Sequence, residues 1–252
     1  MTLVRVELRR LLSRRAIRAL WLVFVAIFLA ALIGNYVHAG SEPLTARFVS
    51  DGGLGFGGAF AALAFIIGAT AGGAEWAART MEALLVWEPR RVRLMLAKVA
   101  ALSLVIAVAA VVVQVMVGAL ARLAVAGRGS MADAGEHFWR TYTGNGATAL
   151  ALAVFAAIFG FTIASLTRNT GFALGAGFVY LAVIDRVLVL LPNWIDKFTL
   201  FNNVAAFLNH GADVNHGDPV TLSTLRAGIT LSAYIAVLFA LATTLFQRRD
   251  VT

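Results

Sequence analysis

The chain has no cysteine, which excludes disulfides and thiolate metal sites. Proline is almost as scarce, at four in 252 residues, so long stretches contain no helix breaker. Charge is scarce as well. Asp, Glu, Lys and Arg make up 13% of the residues, about half the roughly 25% of a soluble domain. With 60% hydrophobic residues and a mean hydropathy of +0.84, the composition excludes a soluble globular enzyme. Two further absences narrow the chemistry. No G-x-x-x-x-G-K-[ST] phosphate loop occurs, and no Ser-His-Asp, H-E-x-x-H or paired-carboxylate arrangement falls inside an apolar run. No catalytic residue and no cofactor are expected in this chain.

What remains is a series of apolar runs almost free of charge, approaching the roughly 20 residues that cross about 30 Å of hydrocarbon as a helix. They lie at 17–37, 55–74, 95–121, 146–166, 170–191 and 226–246. The expected fold is therefore all-α, a single polytopic membrane domain over 1–252 with six transmembrane helices. Six arginines within the first 18 residues precede the first run. That run exceeds the 7–15 residues of a signal-peptide core, so it reads as a retained helix.

Orientation follows from the basic residues, because cytoplasmic segments carry the excess of Lys and Arg. With both termini inside, fourteen of the 21 basic and five of the 13 acidic residues face the cytoplasm. The net charge of +8 then divides into +9 inside and −1 outside. A polybasic surface beside anionic headgroups accounts for the sequence pI near 11, and nucleic acid is not expected as a partner.

Residues 1–16 alternate basic and apolar positions and read as an interfacial helix, with Val4, Leu8, Leu11 and Leu12 toward acyl chains. Gly53, Gly55 and Gly58 satisfy G-x-G-x-x-G, but no strand precedes them, so the dinucleotide match is rejected. Gly68 and Gly72 form a G-x-x-x-G pair suited to close helix packing. Between the second and third runs, a helical reading puts Glu75, Arg79 and Glu82 on one stripe, with Glu75 and Arg79 in the favourable i,i+4 order. Pro89 ends that helix, and Arg90, Arg91 and Arg93 begin the return. The segment 75–93 is thus expected as an amphipathic helix at the inner surface.

Glu75, Thr80, Leu84, Leu85, Pro89, Arg91 and Lys98 stand in the order characteristic of one family, and the chain resembles the type-2 ABC transporter permeases, especially actinobacterial members. Arg79 stands where that family usually has glycine. The resemblance implies a bacterial cytoplasmic-membrane permease of an exporter for a hydrophobic or amphipathic compound, such as a drug, antibiotic, peptide or lipid. It implies a separate ATPase subunit that carries ATP and Mg, and a second permease chain, identical or related. Related members often serve drug efflux or antibiotic resistance. It further implies that Glu75, Arg79, Glu82, Pro89, Arg90 and Arg91 contact the ATPase subunit. A channel or assembly scaffold without a motor is the alternative.

Gln114, Asp185 and Arg186 interrupt apolar runs and are pathway candidates, with an outer-rim structural pair as the other reading of Asp185 and Arg186. The connection 192–225 is too long for a turn. The resemblance implies a re-entrant outer gate there, with Phe198, Phe201, Asn202 and Asn203 as its candidates. His210, Asp213, His216 and Asp218 carry metal-ligand chemistry, but their spacing matches no metal motif and turn chemistry explains the same residues. No metal site is assigned.

Overall fold

A computed structural model of the chain describes residues 2–38, 43–87, 90–188, 195–214 and 220–248. Helix α1 (Thr2–Ser13) joins α2 (Arg15–His38) through the single residue Arg14. There follow α3 (Ala46–Ala77), the short α4 (Met81–Trp87), α5 (Arg91–Arg128) and α6 (Phe138–Thr167). Next come α7 (Thr170–Val179), a π-helical turn (Tyr180–Ile184) and α8 (Asp185–Leu188). A 3-10 turn (Asp196–Phe198), α9 (Leu200–Leu208), strands β1 (Ala212–Val214) and β2 (Val220–Leu222), and α10 (Thr224–Arg248) complete the chain. Among the described residues, five helices are long and apolar enough to cross a bilayer: α2, the Phe56–Ala77 part of α3, α5, α6 and α10. The chain is a multi-pass, all-α membrane protein.

The fifth expected run, 170–191, is built differently from the expectation. It is a succession of α7, the π turn and α8 ending at Leu188, so its longest regular piece is ten residues. The other spans are longer than their uncharged cores. α3 is 32 residues and α5 is 38, about 48 and 57 Å of helix. Charged residues marked the expected ends, but these side chains find partners and α5 takes them in, running from Arg91 to Arg128. Arg128 donates to the carbonyl of Tyr36 (2.9 Å) and lies 4.3 Å from its ring centroid. Arg122 stacks over Trp139, and Arg91 donates to the carbonyl of Phe246 (2.7 Å).

The core is the contact of α3 with α6. Positions of Gly68 and Gly72 press against the backbone of Ala157 and Phe161, four residues apart on α6, and Gly160 returns the contact against Phe65. A Cβ at any of the three would overlap a carbonyl oxygen. Helices that meet backbone to backbone gain dispersion contact without a hydrophobic drive, which lipid cannot supply. Phe56, Phe60, Ile67, Leu102, Ile106 and Phe161 are buried around this seam.

Local chemistry sets several ends. Arg168 (φ 56°) closes α6, and Asn169 caps α7 by accepting from the Phe172 amide (3.1 Å). The Asp133 carboxylate accepts from the Ala46 amide at the start of α3 (3.1 Å). A parallel bridge joins Leu44 to Gly129 nearby. The connection 192–225 also contains an antiparallel ribbon that was not expected, with Ala212 opposite Leu222 and Val214 opposite Val220. Three-residue strands are too short to show alternation in sequence.

Gly68→Ala should lower stability by about 1–3 kcal/mol, the usual cost of overfilling a tight contact. The denaturation midpoint in mixed detergent micelles checks this. Gly34→Ala, where a Cβ meets nothing within 4 Å, should leave it unchanged.

Candidate functional site

Two regions hold the polar side chains that the apolar body does not explain, one at each end of the bundle. At the end that carries α1 and α4, helical spacing puts Glu7 and Leu11 on one face of α1, and Arg14 follows at the joint with α2. That face turns into the protein. Glu7 is 5% and Leu11 5% exposed, whereas Leu12 is 59% exposed. Leu11 therefore packs in the core and not among acyl chains as expected, with Leu3, Val4 and Leu8 partly buried beside it.

Glu7 meets Lys98 of α5, whose ammonium donates to it at 3.1 Å and to Glu75 of α3 at 2.6 Å. Arg14, the joint between α1 and α2, donates to the same Glu75 carboxylate (3.2 Å) and toward the Thr70 carbonyl. Arg10 pairs with Glu7 from the rim, where it is 42% exposed at the side chain and contributes little. The centre is a buried knot of Glu7, Glu75, Lys98 and Arg14, two carboxylates balanced by two cations. A void of about 10 Å³ lies among these groups, lined also by Ala71 and Phe161, which is close to the space one water needs.

Glu75 thus differs from its expected role. It is 6% exposed and bonded inward, so it is not a surface contact, and the Glu75–Arg79 pair does not form. The reason is that the expected helix over this segment breaks. α3 stops at Ala77, and Arg79 takes φ 52° in the turn before α4. This is the left-handed region that favours glycine, so Arg79 makes the turn that glycine would make freely.

Glu82 falls on α4, separated from the Glu75 stripe by the break; its side chain, Glu88 and Pro89 lie outside the described residues. Arg90 is exposed ahead of α5. Arg91 is held by the Phe246 carbonyl at the last turn of α10, a favourable place for a cation. Its guanidinium lies 5.6 Å from the Phe246 ring, Phe246 packs edge-on to Trp76, and Arg168 covers Trp76 at 4.4 Å. This belt ties the ends of α3, α6 and α10 to the start of α5. A depression of about 440 Å³ opens between α1 and α4, lined by Arg10, Ser13, Arg14, Glu75, Thr80, Ala83 and Leu84.

At the opposite end, Gln114 sits among α3, α5 and α6 beside Gly53 and Gly146, and its backbone carbonyl accepts from the Tyr142 hydroxyl (2.9 Å). Its side-chain amide nitrogen is buried without a hydrogen-bond partner among the described residues. The other candidates gather elsewhere, on the 3-10 turn and α9. Phe198 and Phe201 are half exposed and Asn203 is fully buried, its amide donating to the carbonyls of Lys197 (3.0 Å) and Thr199 (2.7 Å). Asn202 is half-buried on the same helix. Beside α9 runs an apolar groove of about 780 Å³ between α6 and α10, with Phe155 and Ile158 on one wall, Leu225 and Ile235 on the other, and Phe207 of α9 at its edge.

Asp185 and Arg186 begin α8 directly after the π turn, and their side chains lie outside the described residues. His210 pairs with Asn145 (2.7 Å). His216 and Asp218, and the side chain of Asp213, lie outside the described residues, so the four are not brought together among those described.

Sequence reasoning missed Glu7, Arg14 and Lys98 as a unit with Glu75. The signal was present: Glu7 is the lone acid among six arginines of the first 18 residues, and a lone opposite charge beside an apolar run needs a partner. Lys98→Met should cost about 3–5 kcal/mol by stranding a buried carboxylate, and combining it with Glu7→Gln, which leaves the Arg14–Glu75 pair balanced, should recover most of the loss in the same denaturation assay. Arg79→Gly should raise stability by up to about 1 kcal/mol by relieving the left-handed turn.

The family described as ABC-2 family transporter protein matches the chain over residues 1–251. No curated protein matches it. The match covers almost the whole length and agrees with the multi-pass helical architecture, and the chain belongs to the ABC-2 transporter family as a membrane permease subunit that works with an ATPase partner.

Proposed function

We propose that the chain is the permease of an exporter that moves a hydrophobic or amphipathic compound, such as a drug, antibiotic, peptide or lipid, out across a bacterial cytoplasmic membrane. The buried knot under α4 carries this reading. An ATPase that changes shape must push on something rigid, and α4 stands between the ends of two spanning helices whose roots are locked by Glu75 and Lys98. The positive-inside distribution favours α1, α4 and both termini on the cytoplasmic side, where ATP is available.

The coupling contact is assigned to the α4 region and its flanks, with Arg79, Glu82, Pro89 and Arg90 as contact candidates, because Glu75 is buried. Glu75 and Arg91 act beneath them by fixing α3 and α5. The 440 Å³ depression, rimmed by Arg10 and Thr80 and floored by Glu75, is the receptor for the ATPase surface. Export of an apolar cargo is supported by the α6–α10 groove, whose only polar side chains among the described residues are Thr224 and Ser232. A second permease chain, identical or related, supplies the facing wall of the path, and efflux of antibiotics is the physiological setting that this cargo class fits. ATP and Mg reside on the ATPase subunit.

An ATPase subunit should co-purify with the tagged chain from its native membrane; its reproducible absence would sink the proposal. Glu82→Arg should reduce transport-coupled ATP hydrolysis at least about tenfold, the effect of losing roughly 1.4 kcal/mol of contact energy, while leaving the denaturation midpoint unchanged. Unaltered coupling would remove α4 as the contact.

A further inference from the structure

The first residues of α9 are held by side chains that belong to other elements. Thr199 stands at the N-cap position but makes no side-chain capping bond, so the leading amides of α9 need partners from outside the helix. The Leu200 amide donates to the hydroxyl of Tyr180, 3.2 Å away, at the first position of the π turn. Two residues earlier, the Phe198 carbonyl accepts from the hydroxyl of Tyr234 on α10. From inside α9, Asn203 closes the same loop by donating to the carbonyls of Lys197 and Thr199. Thr199 and Asn203 are consequently 1% and 0% exposed.

Two tyrosines on two apolar segments therefore hold one stretch of backbone through their hydroxyls. α9 in turn presents Phe207 to the edge of the α6–α10 groove and packs it against Gly228. Tyr180 stands where the helix changes from α to π geometry. A π turn holds one residue more than an α turn, so its conversion to regular helix rotates Tyr180 by about 100° relative to the segment beyond. The grip can thus be released by a local change of winding in the α7–α8 segment.

We propose that Tyr180 and Tyr234 form a releasable clasp on α9, and that opening it lifts Phe207 from the groove and exposes the apolar site to cargo. The proposal rests on the reading of the chain as an exporter of apolar compounds and adds the residues that position the gate. Both are positioning residues, since they act on cargo only through α9.

The absence of cysteine makes single-thiol reporters possible without removing any native residue. Ala206→Cys places a thiol at a fully buried position of α9, against Leu222 and Ala227. Its rate of reaction with a charged maleimide is measured in the full-length chain in lipid nanodiscs. One hydrogen bond of about 1 kcal/mol corresponds to roughly a fivefold change in an opening equilibrium. Tyr180→Phe and Tyr234→Phe should each raise the labelling rate about fivefold, and the double variant about 25-fold.

Two controls separate release of α9 from general loosening. Val49→Cys, fully buried at the same end of the bundle, should label no faster in the phenylalanine variants. Tyr142→Phe, which removes a hydroxyl bonded to Gln114, should leave Ala206→Cys labelling unchanged. Equal acceleration at both reporters, acceleration by Tyr142→Phe, or no acceleration by either clasp variant would overturn the clasp. If the ATPase subunit co-purifies and labelling stays flat, only the clasp falls. If labelling rises as expected but no ATPase accompanies the chain, the transport reading falls and the clasp stands as the device that releases α9.

Discussion

Lys98 places a full positive charge inside an apolar helix bundle, and the arrangement of one whole end follows from what that charge requires. An ammonium taken out of water costs several kcal/mol unless carboxylates surround it with good geometry. Here the two carboxylates come from different elements, Glu7 on α1 and Glu75 near the end of α3. α1 must therefore lie against α5 and not float at the membrane surface. Arg14 is then needed, because two acids against one lysine would leave an excess negative charge. It serves from the joint between α1 and α2, so the balance of the knot also fixes the angle at which the first spanning helix leaves. Replacing the whole set by apolar residues would cost the fold little; removing one member costs much. The knot is therefore better understood as a device of position than as a source of stability.

The spanning helices were legible because a bilayer leaves few alternatives: an uncharged run of sufficient length must be helical. Their ends were less legible, since charged residues mark the edge of hydrocarbon and not the edge of the helix. Arg91, Arg122 and Arg128 all lie inside helices that run beyond the apolar core. Gly68 and Gly72 could be read from spacing alone. Their counterpart Gly160 could have been, from the run of small residues Ala156, Gly160 and Ala164 at the same interval. Glu75 was misplaced for a different reason. A stripe at 100° per residue holds only while the helix is continuous, and the left-handed Arg79 ends that continuity two residues past Ala77. Arginine is an unusual choice for such a turn, so the residue itself hid the break, and the glycine that the family usually has at this position was the available hint. The grip of Tyr180 and Tyr234 on α9 joins residues 20 or more apart through backbone atoms, and backbone acceptors leave no pattern of side chains to read.

The two ends are connected by α3. It is a single helix from Ala46, where the Asp133 carboxylate caps it, to Ala77, just past the knot. Along the way it lies backbone to backbone with α6 at Gly68 and Gly72, and near its far end Gly57 faces Ala149 of α6 and Leu208 of α9. Close-packed helices of this kind do not deform continuously; they shift as bodies, because interiors at crystal-like density transmit displacement and do not absorb it. A push delivered beside α4 on Glu75's helix would therefore reach Leu208 as a tilt of about 48 Å of rod, with the α3–α6 seam as its bearing. The path also meets the π turn at Tyr180–Ile184, where the winding of the α7–α8 segment is not continuous. Rigidity at the charged end and this change of winding at the tyrosine end are complementary. On the proposed reading, the first would preserve a displacement over the length of the bundle, and the second would let it move a nine-residue helix while the spans around it keep their contacts.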